Sequence, residues 1–162
     1  MSAPSRIPEL GARGGGWVAA QLLLLAGIGA SALVGLDWPG ALRLAAYVVG
    51  GALIAGGLLL VTAGGLQLGS SLTPFPAPRP GAETVGVGLY RRARHPMYGG
   101  GMLVAAGWSI LFATVVGGVL TGLLVLLFEL KARREETWLV EHDAAYADYR
   151  RRTPRRFLPF VY

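Results

Sequence analysis

Long apolar stretches alternate with short polar ones along this chain, and the apolar stretches have the lengths of membrane spans. The first covers 17–36. At about 20 residues it is long enough to cross a bilayer and longer than the core of a secretory signal, so it reads as a retained helix. Asp37-Trp38-Pro39-Gly40 ends it, with a Trp suited to the membrane interface and a Pro-Gly pair that breaks helices. A second run, 42–68, carries Gly50-Gly51, Gly56-Gly57 and Gly64-Gly65. Small residues repeated along a helix let a neighbour approach closely, which matters where lipid gives little hydrophobic drive for association. The stretch 69–80 is rich in Ser, Thr and Pro; it cannot be helical and must leave the hydrocarbon. Two more runs, 98–116 and 117–131, are separated only by Thr114 and Gly117-Gly118. Roughly thirty apolar residues exceed one span, which predicts a tight helical hairpin turning at the glycines. Tilt, or extension of the fourth helix past Lys131, completes its short arms. Beyond it, Trp138, Glu141, Ala145 and Tyr149 fall at helical spacing, as do Leu139, His142 and Tyr146, predicting a polar helix over 135–152 that stops near Thr153-Pro154. Residues 1–16 read as a loosely ordered tail, and 155–162 as an apolar, aromatic end segment that docks at the interface.

Composition agrees with this pattern. Of 162 residues 53% are hydrophobic and the mean hydropathy is +0.50, too apolar for a soluble domain of this size. The expected class is an all-α integral membrane protein, one domain over 1–162 with about four transmembrane helices and a cytosolic C-terminal helix. The absence of Cys excludes disulfides, thiolate-bound metal and a thiol nucleophile, and no metal site is expected. A net charge of +6 and a pI near 10.3 are those of many nucleic-acid binders. Here, however, the basic residues cluster beside apolar runs, where they act as topology signals, so no nucleic-acid partner is expected. With four spans, the N-terminal tail, the 69–97 loop and everything after Lys131 share one side. Of the fifteen basic residues only Arg43 falls on the other. The positive-inside rule makes the shared side cytoplasmic and gives a multi-pass protein with both termini and the site in the cytosol.

Candidate chemistry concentrates in 86–101 and 131–159. In Arg94-His95-Pro96-Met97-Tyr98 the proline keeps His95 out of helical geometry and can open the next helix, so His95 sits at a helix start near the headgroups. Such a start suits a ligand carboxylate or phosphate; it equally suits an interfacial anchor. Glu135-Glu136 beside a span reads either as a solvated pair matched to Lys131, Arg133 or Arg134, or as carboxylates that hold a cation or hydroxyl groups of a ligand. Gly86-Val87-Gly88 marks a turn and allows close backbone approach.

Together these pieces resemble a known family, the membrane-embedded S-adenosylmethionine-dependent methyltransferases that include isoprenylcysteine carboxyl methyltransferases and phospholipid N-methyltransferases. The matching signature is Gly88-x-Tyr90, Arg94-His95-Pro96-x-Tyr98-x-Gly100, Glu135-Glu136-x-x-Leu139, Tyr146-x-x-Tyr149, Pro154 and Phe157-Leu158-Pro159. It covers the C-terminal half. His142-Asp143 stands where the family usually has Phe-Gly, and an extra arginine sits between Pro154 and Phe157. The resemblance implies S-adenosyl-L-methionine as cofactor, held by Gly86, Gly88, His95, Pro96, Tyr98, Gly100, Glu135, Glu136, Tyr146 and Tyr149. Carboxylates would face its ammonium and tyrosine faces its sulfonium. It also implies methyl transfer to a lipophilic acceptor, with the lipid bilayer as partner and access between the glycine-rich helices. A carboxylate acceptor would need a cation such as Lys131, Arg133 or Arg150 to anchor it. An amine acceptor would need a base, with Glu136 or His142 as candidates.

Three other readings compete. Membrane sterol reductases and their bacterial relatives share an Arg-His-Pro-like segment and use a nicotinamide cofactor, but usually have Asn before the motif tyrosine and an acid after its glycine. This chain has Met97 and Gly101. A non-enzymatic scaffold would have no need of His95, Tyr98, Glu135 and Glu136 together, and a transporter would be expected to carry an ionisable residue in mid-span.

Overall fold

The computed structural model describes residues 13–77 and 86–159. Most of the N-terminal tail, 78–85 and the closing Phe160-Val161-Tyr162 lie outside the described residues. The five α-helices described are α1 (Gly15–Ala30), α2 (Gly40–Leu68), α3 (Pro96–Leu111), α4 (Val115–His142) and α5 (Ala144–Arg152), and there is no strand among the described residues. Among the described residues three segments are long and apolar enough to cross a membrane: Gly15–Val34, Gly40–Ser71 and Val115–Glu141. The third expected crossing, 98–116, corresponds to α3, whose 16 residues rise only about 24 Å. The outward faces of α1 and α2 are leucine, with Leu23, Leu59 and Leu66 each more than 70% exposed. A surface of that kind is solvated by lipid.

α2 and α3 run antiparallel, Gly57 meeting Gly100 and Gly50 meeting Gly107. α2 packs most extensively on α3, and α4 packs on both α1 and α3. The α2–α3 seam explains the glycine pairs, of which one member each is used. A Cβ on Gly57 would lie 2.5 Å from the Gly100 carbonyl, and one on Gly50 would lie 2.9 Å from that of Gly107, whereas Gly51 and Gly56 face open space. Gly64 continues the seven-residue repeat and admits Met97. Behind the seam, Ile28, Ala105, Leu124 and Phe128 form the core where α1, α3 and α4 meet.

Two boundaries differ from the sequence expectation. The α3–α4 hairpin turns at Phe112-Ala113-Thr114 rather than at Gly117-Gly118. Ala113 takes a left-handed φ of 48°, and Thr114 caps α4 by accepting from the Gly117 N–H at 3.2 Å. Gly117 is spent on packing instead, since a Cβ there would meet Ser31, Thr114 and Ser109. The second difference is that α4 runs unbroken to His142. The polar helix expected over 135–152 is therefore cut at Asp143, whose carboxylate accepts from Ala145 N–H at 2.8 Å and starts α5. The turn at 37–40 and the stop at Thr153 fall as expected. At the far end of the bundle Trp38 Nε1 donates to the Ile110 carbonyl at 2.6 Å, tying the α1–α2 turn to α3.

Gly57→Ala is expected to force α2 off α3 and cost about 1–3 kcal/mol, while Gly56→Ala leaves stability unchanged or slightly raised. Intrinsic tryptophan fluorescence melting in detergent tests this. Equal melting temperatures for the two variants would show that the seam is looser than described.

Candidate functional site

At the end of the bundle where α1 begins, α2 ends, α3 begins and α4 becomes polar, a cavity of about 460 Å³ opens. That lies within the range of roughly 300–1,000 Å³ common for small-molecule sites. Its wall is built by register. Phe128, Lys131, Glu135 and Leu139 recur every three or four residues on α4 and make one stripe facing inward. α3 and its approach supply Arg94, His95, Met97, Tyr98 and Gly101, while Tyr90 and α5's Tyr146 and Tyr149 close the polar side. Gln21 and Leu25 of α1, Val61 and Leu68 of α2, and the 71–74 loop close the other.

Arg94 is the structural centre of the polar side. It is buried, with Nε donating to Glu136 Oε1 at 2.8 Å and Nη1 donating to the Thr153 and Pro154 carbonyls at 2.6 and 2.8 Å. Two backbone bonds run alongside, Arg94 N–H to the Arg155 carbonyl at 3.1 Å and His95 N–H to that of Arg156 at 2.7 Å. The segment after α5 is thereby clamped to the motif before α3. Glu136, 4% exposed, also takes His95 Nε2 at 3.2 Å and Arg156 Nε at 3.3 Å on the same oxygen. A carboxylate only accepts, so His95 donates there.

Glu135 differs from its neighbour. Its side chain is 24% exposed and lines the cavity; Oε2 accepts from Tyr98 Oη at 2.9 Å and lies 3.7 Å from His95 Nδ1. The His95 and Tyr98 rings stack at 5.3 Å, and Tyr98 stacks in turn on Phe128 at 4.7 Å. Tyr149 Oη donates to the Tyr90 carbonyl at 2.6 Å. Burial, joined by the Glu136 and Glu135 carboxylates, pushes the Tyr146 phenol well above its ordinary value. Burial does the same for Tyr149 against the pull of Arg94, so both phenols stay neutral.

Of the candidate residues, the structure brings His95, Tyr98, Lys131, Glu135, Tyr146 and Tyr149 to the cavity wall. The others stand elsewhere. Glu136 sits behind the wall, where one of its oxygens accepts from Arg94, His95 and Arg156, since consecutive residues on α4 point about 100° apart. Arg133 is exposed and paired with Glu129 at 2.8 Å, and Arg150 is exposed on α5. Gly100 packs on Gly57, and Pro96 is fully buried as the first residue of α3. Gly88 holds φ 55° beneath Gln67, whose Oε1 accepts from Leu89 N–H at 2.8 Å, while Gly86 faces the Tyr149 ring. The side chain of the candidate base His142 lies outside the described residues. The helix start also has fewer donors than expected. Pro96 has no N–H, and the Tyr98 and Gly99 N–H groups turn back to the His95 carbonyl at 3.1 and 3.2 Å. Positive charge on the wall comes instead from Arg94 and Lys131. Sequence reasoning quoted Arg94 and Tyr90 in the motif without a role. It passed over Gln21, a lone amide in an apolar run, which was the available signal.

Residues 45–145 match the phospholipid methyltransferase family model, and the chain belongs to that family, whose members are membrane methyltransferases. The match runs from α2 into α5 and contains Arg94, His95, Tyr98, Glu135 and Glu136. No curated protein matches the chain.

Arg94→Met is expected to leave Glu136 with reduced compensation and to release the 153–157 segment, costing about 3–5 kcal/mol. Limited trypsin digestion followed by mass analysis should then show faster cleavage at Arg155 and Arg156. Cleavage at the parent rate would refute the clamp.

Proposed function

We propose that the protein transfers a methyl group from S-adenosylmethionine to a lipophilic acceptor within the membrane. The observation that carries this reading is the mixed character of one cavity. A partly exposed carboxylate and stacked aromatic faces from α3, α4 and α5 stand at one side, and an apolar wall from α1 and α2 stands at the other. The family match supports the same reaction class.

The residues fit such a cofactor. Glu135 suits an ammonium, the guanidinium of Arg94 suits a carboxylate, and the faces of Tyr98, Tyr90 and Tyr146 suit a sulfonium and an adenine. When bound, the cofactor supplies a methyl group activated by the sulfonium charge. The chain's part is alignment and exclusion of water. Tyr98 and His95 hold Glu135 in place, the clamp on 153–157 keeps α5 as a cover, and the α1–α2 wall admits an alkyl chain. Covalent catalysis is not required. If the acceptor is an amine, Glu135 is better placed than Glu136 to take its proton, because Glu136 already accepts from Arg94, His95 and Arg156. The basic residues at this end of the bundle favour a cytosolic site.

Calorimetric titration of the detergent-purified protein with S-adenosylmethionine, S-adenosylhomocysteine and NADPH tests this directly. Binding of the adenosyl ligands without NADPH is expected, and NADPH binding alone would move the chain to the reductases. Glu135→Gln and Tyr98→Phe each remove one charge-assisted hydrogen bond and should weaken adenosyl-ligand binding about ten- to a hundredfold. Unchanged affinity in both would sink the assignment of the cofactor side.

A further inference from the structure

The glycines of Gly86-Val87-Gly88 are expected to bring backbone against a cofactor, yet neither of them lines the cavity. Both are covered by side chains from other elements. Gly88 holds φ 55°, and a Cβ there would lie 2.5 Å from Gln67 Oε1 and 2.7 Å from Gln67 Cδ and Nε2, so the face of the amide covers the glycine. Gly86 lies against the Tyr149 ring, where a Cβ would come to 3.6 Å. The Gly-x-Gly turn is therefore gripped between the last turn of α2, which carries Gln67, and α5, which carries Tyr149.

What the grip places is Tyr90. The short turn 88–91 closes on itself through Tyr90 N–H to the Val87 carbonyl at 3.0 Å and Arg92 N–H to the Leu89 carbonyl at 2.9 Å. Leu89 N–H points out of that pattern and donates to Gln67 Oε1 at 2.8 Å. Gly64, a neighbour of Gln67 three residues back on α2, offers its carbonyl to Tyr90 Oη at 3.4 Å. A hydroxyl bond that long sets no distance by itself, so the Gln67 bond is the one that fixes the turn against α2. Tyr90 is 5% exposed, lies on the cavity wall, and gives its carbonyl to Tyr149 Oη at 2.6 Å. One half-buried amide at the end of a membrane helix thus stands behind both an aromatic wall residue and the attachment of the helix that covers the cavity.

We infer that Gln67 is a positioning residue for the cofactor side of the cavity. Its amide holds the 88–91 turn on α2, and the turn places the Tyr90 ring and the carbonyl that anchors Tyr149 and α5. The inference rests on the methyl-transfer reading for what the wall binds. It also gives the motif glycine Gly88 a different task, which is to admit Gln67 rather than the ligand.

The test compares the parent with Gln67→Met and Gln67→Glu in detergent. Methionine keeps the length and removes the acceptor, while glutamate keeps an acceptor for Leu89 N–H. Calorimetric titration should show S-adenosylhomocysteine binding Gln67→Met about three- to tenfold more weakly than the parent, with Gln67→Glu restoring most of the loss. Hydrogen exchange read by mass spectrometry should quicken in peptides covering 86–95 and 144–152 of Gln67→Met, and stay at the parent rate in 101–110. Tyr149→Phe releases the other side of the same turn, so adding it to Gln67→Met should weaken binding by clearly less than the product of the two single losses. Parent exchange rates in Gln67→Met would overturn the brace. Faster exchange with unchanged S-adenosylhomocysteine affinity would make the bond structural only and overturn the positioning role, as would single losses that multiply in full. Should Gln67→Met not fold, Gln67→Asn, one carbon too short to reach Leu89, carries the same expectations. A parent that binds no adenosyl ligand would remove the methyl-transfer reading, and the exchange of 86–95 and 144–152 would still decide whether Gln67 holds the turn and α5.

Discussion

The buried ion pair between Arg94 and Glu136 is the interaction on which the polar end of this protein depends. Taking two charges out of water is expensive, and the attraction between them repays that only when the remaining donors and acceptors are satisfied. Here the remaining donors do structural work. Arg94 reaches past Glu136 to two carbonyls of the chain's last segment, and Glu136 gathers His95 and Arg156 on the same oxygen. One pair therefore ties together three pieces of chain far apart in sequence: the approach to α3, the polar turns of α4 and the stretch after α5. Without it α5 would be held over the cavity by a short contact with α4, the Tyr149–Tyr90 hydrogen bond and two backbone bonds to the segment after it.

The membrane sets the complementary constraint. Lipid provides little drive for helices to associate, so α2 and α3 rely on close backbone approach. The glycines at 50, 57, 100 and 107 provide it by meeting in reciprocal pairs. The seam fixes α3 in depth and rotation, and α3 in turn delivers His95 and Tyr98 to the cavity at its first turn. Packing deep in the bilayer and chemistry at its surface are thus parts of one element.

Much of this was legible in the sequence, for identifiable reasons. Apolar run length located α1, α2 and α4, and Pro96 announced the start of α3. Helical spacing would also have isolated the Phe128, Lys131, Glu135, Leu139 stripe had the polar part of α4 been read as one helix with its apolar part. It was not, because hydropathy changes sharply near Lys131 while backbone geometry does not: nothing between 115 and 142 breaks a helix, and Asp143 is the first residue to offer a cap. The hairpin turn was misplaced by the opposite error. Gly117-Gly118 looks like a breaker, yet in a membrane helix glycine serves packing, and the turn went to the residue whose hydroxyl caps the next helix.

The adjacent acids show best why motif and mechanism diverge. Glu135 and Glu136 are equivalent in a sequence pattern, and both were expected to face the ligand. On a helix they point about 100° apart, so one cannot line the cavity face-on without the other turning into the protein. The outward rotation of Glu135 leaves it partly solvated and supported by a phenol, which keeps a carboxylate available to a ligand cation. The inward rotation of Glu136 commits it to Arg94, His95 and Arg156. The two roles meet at His95, whose Nε2 donates to Glu136 at 3.2 Å while Nδ1 lies 3.7 Å from Glu135, so the acid that builds the site also orients the ring beside the acid that uses it.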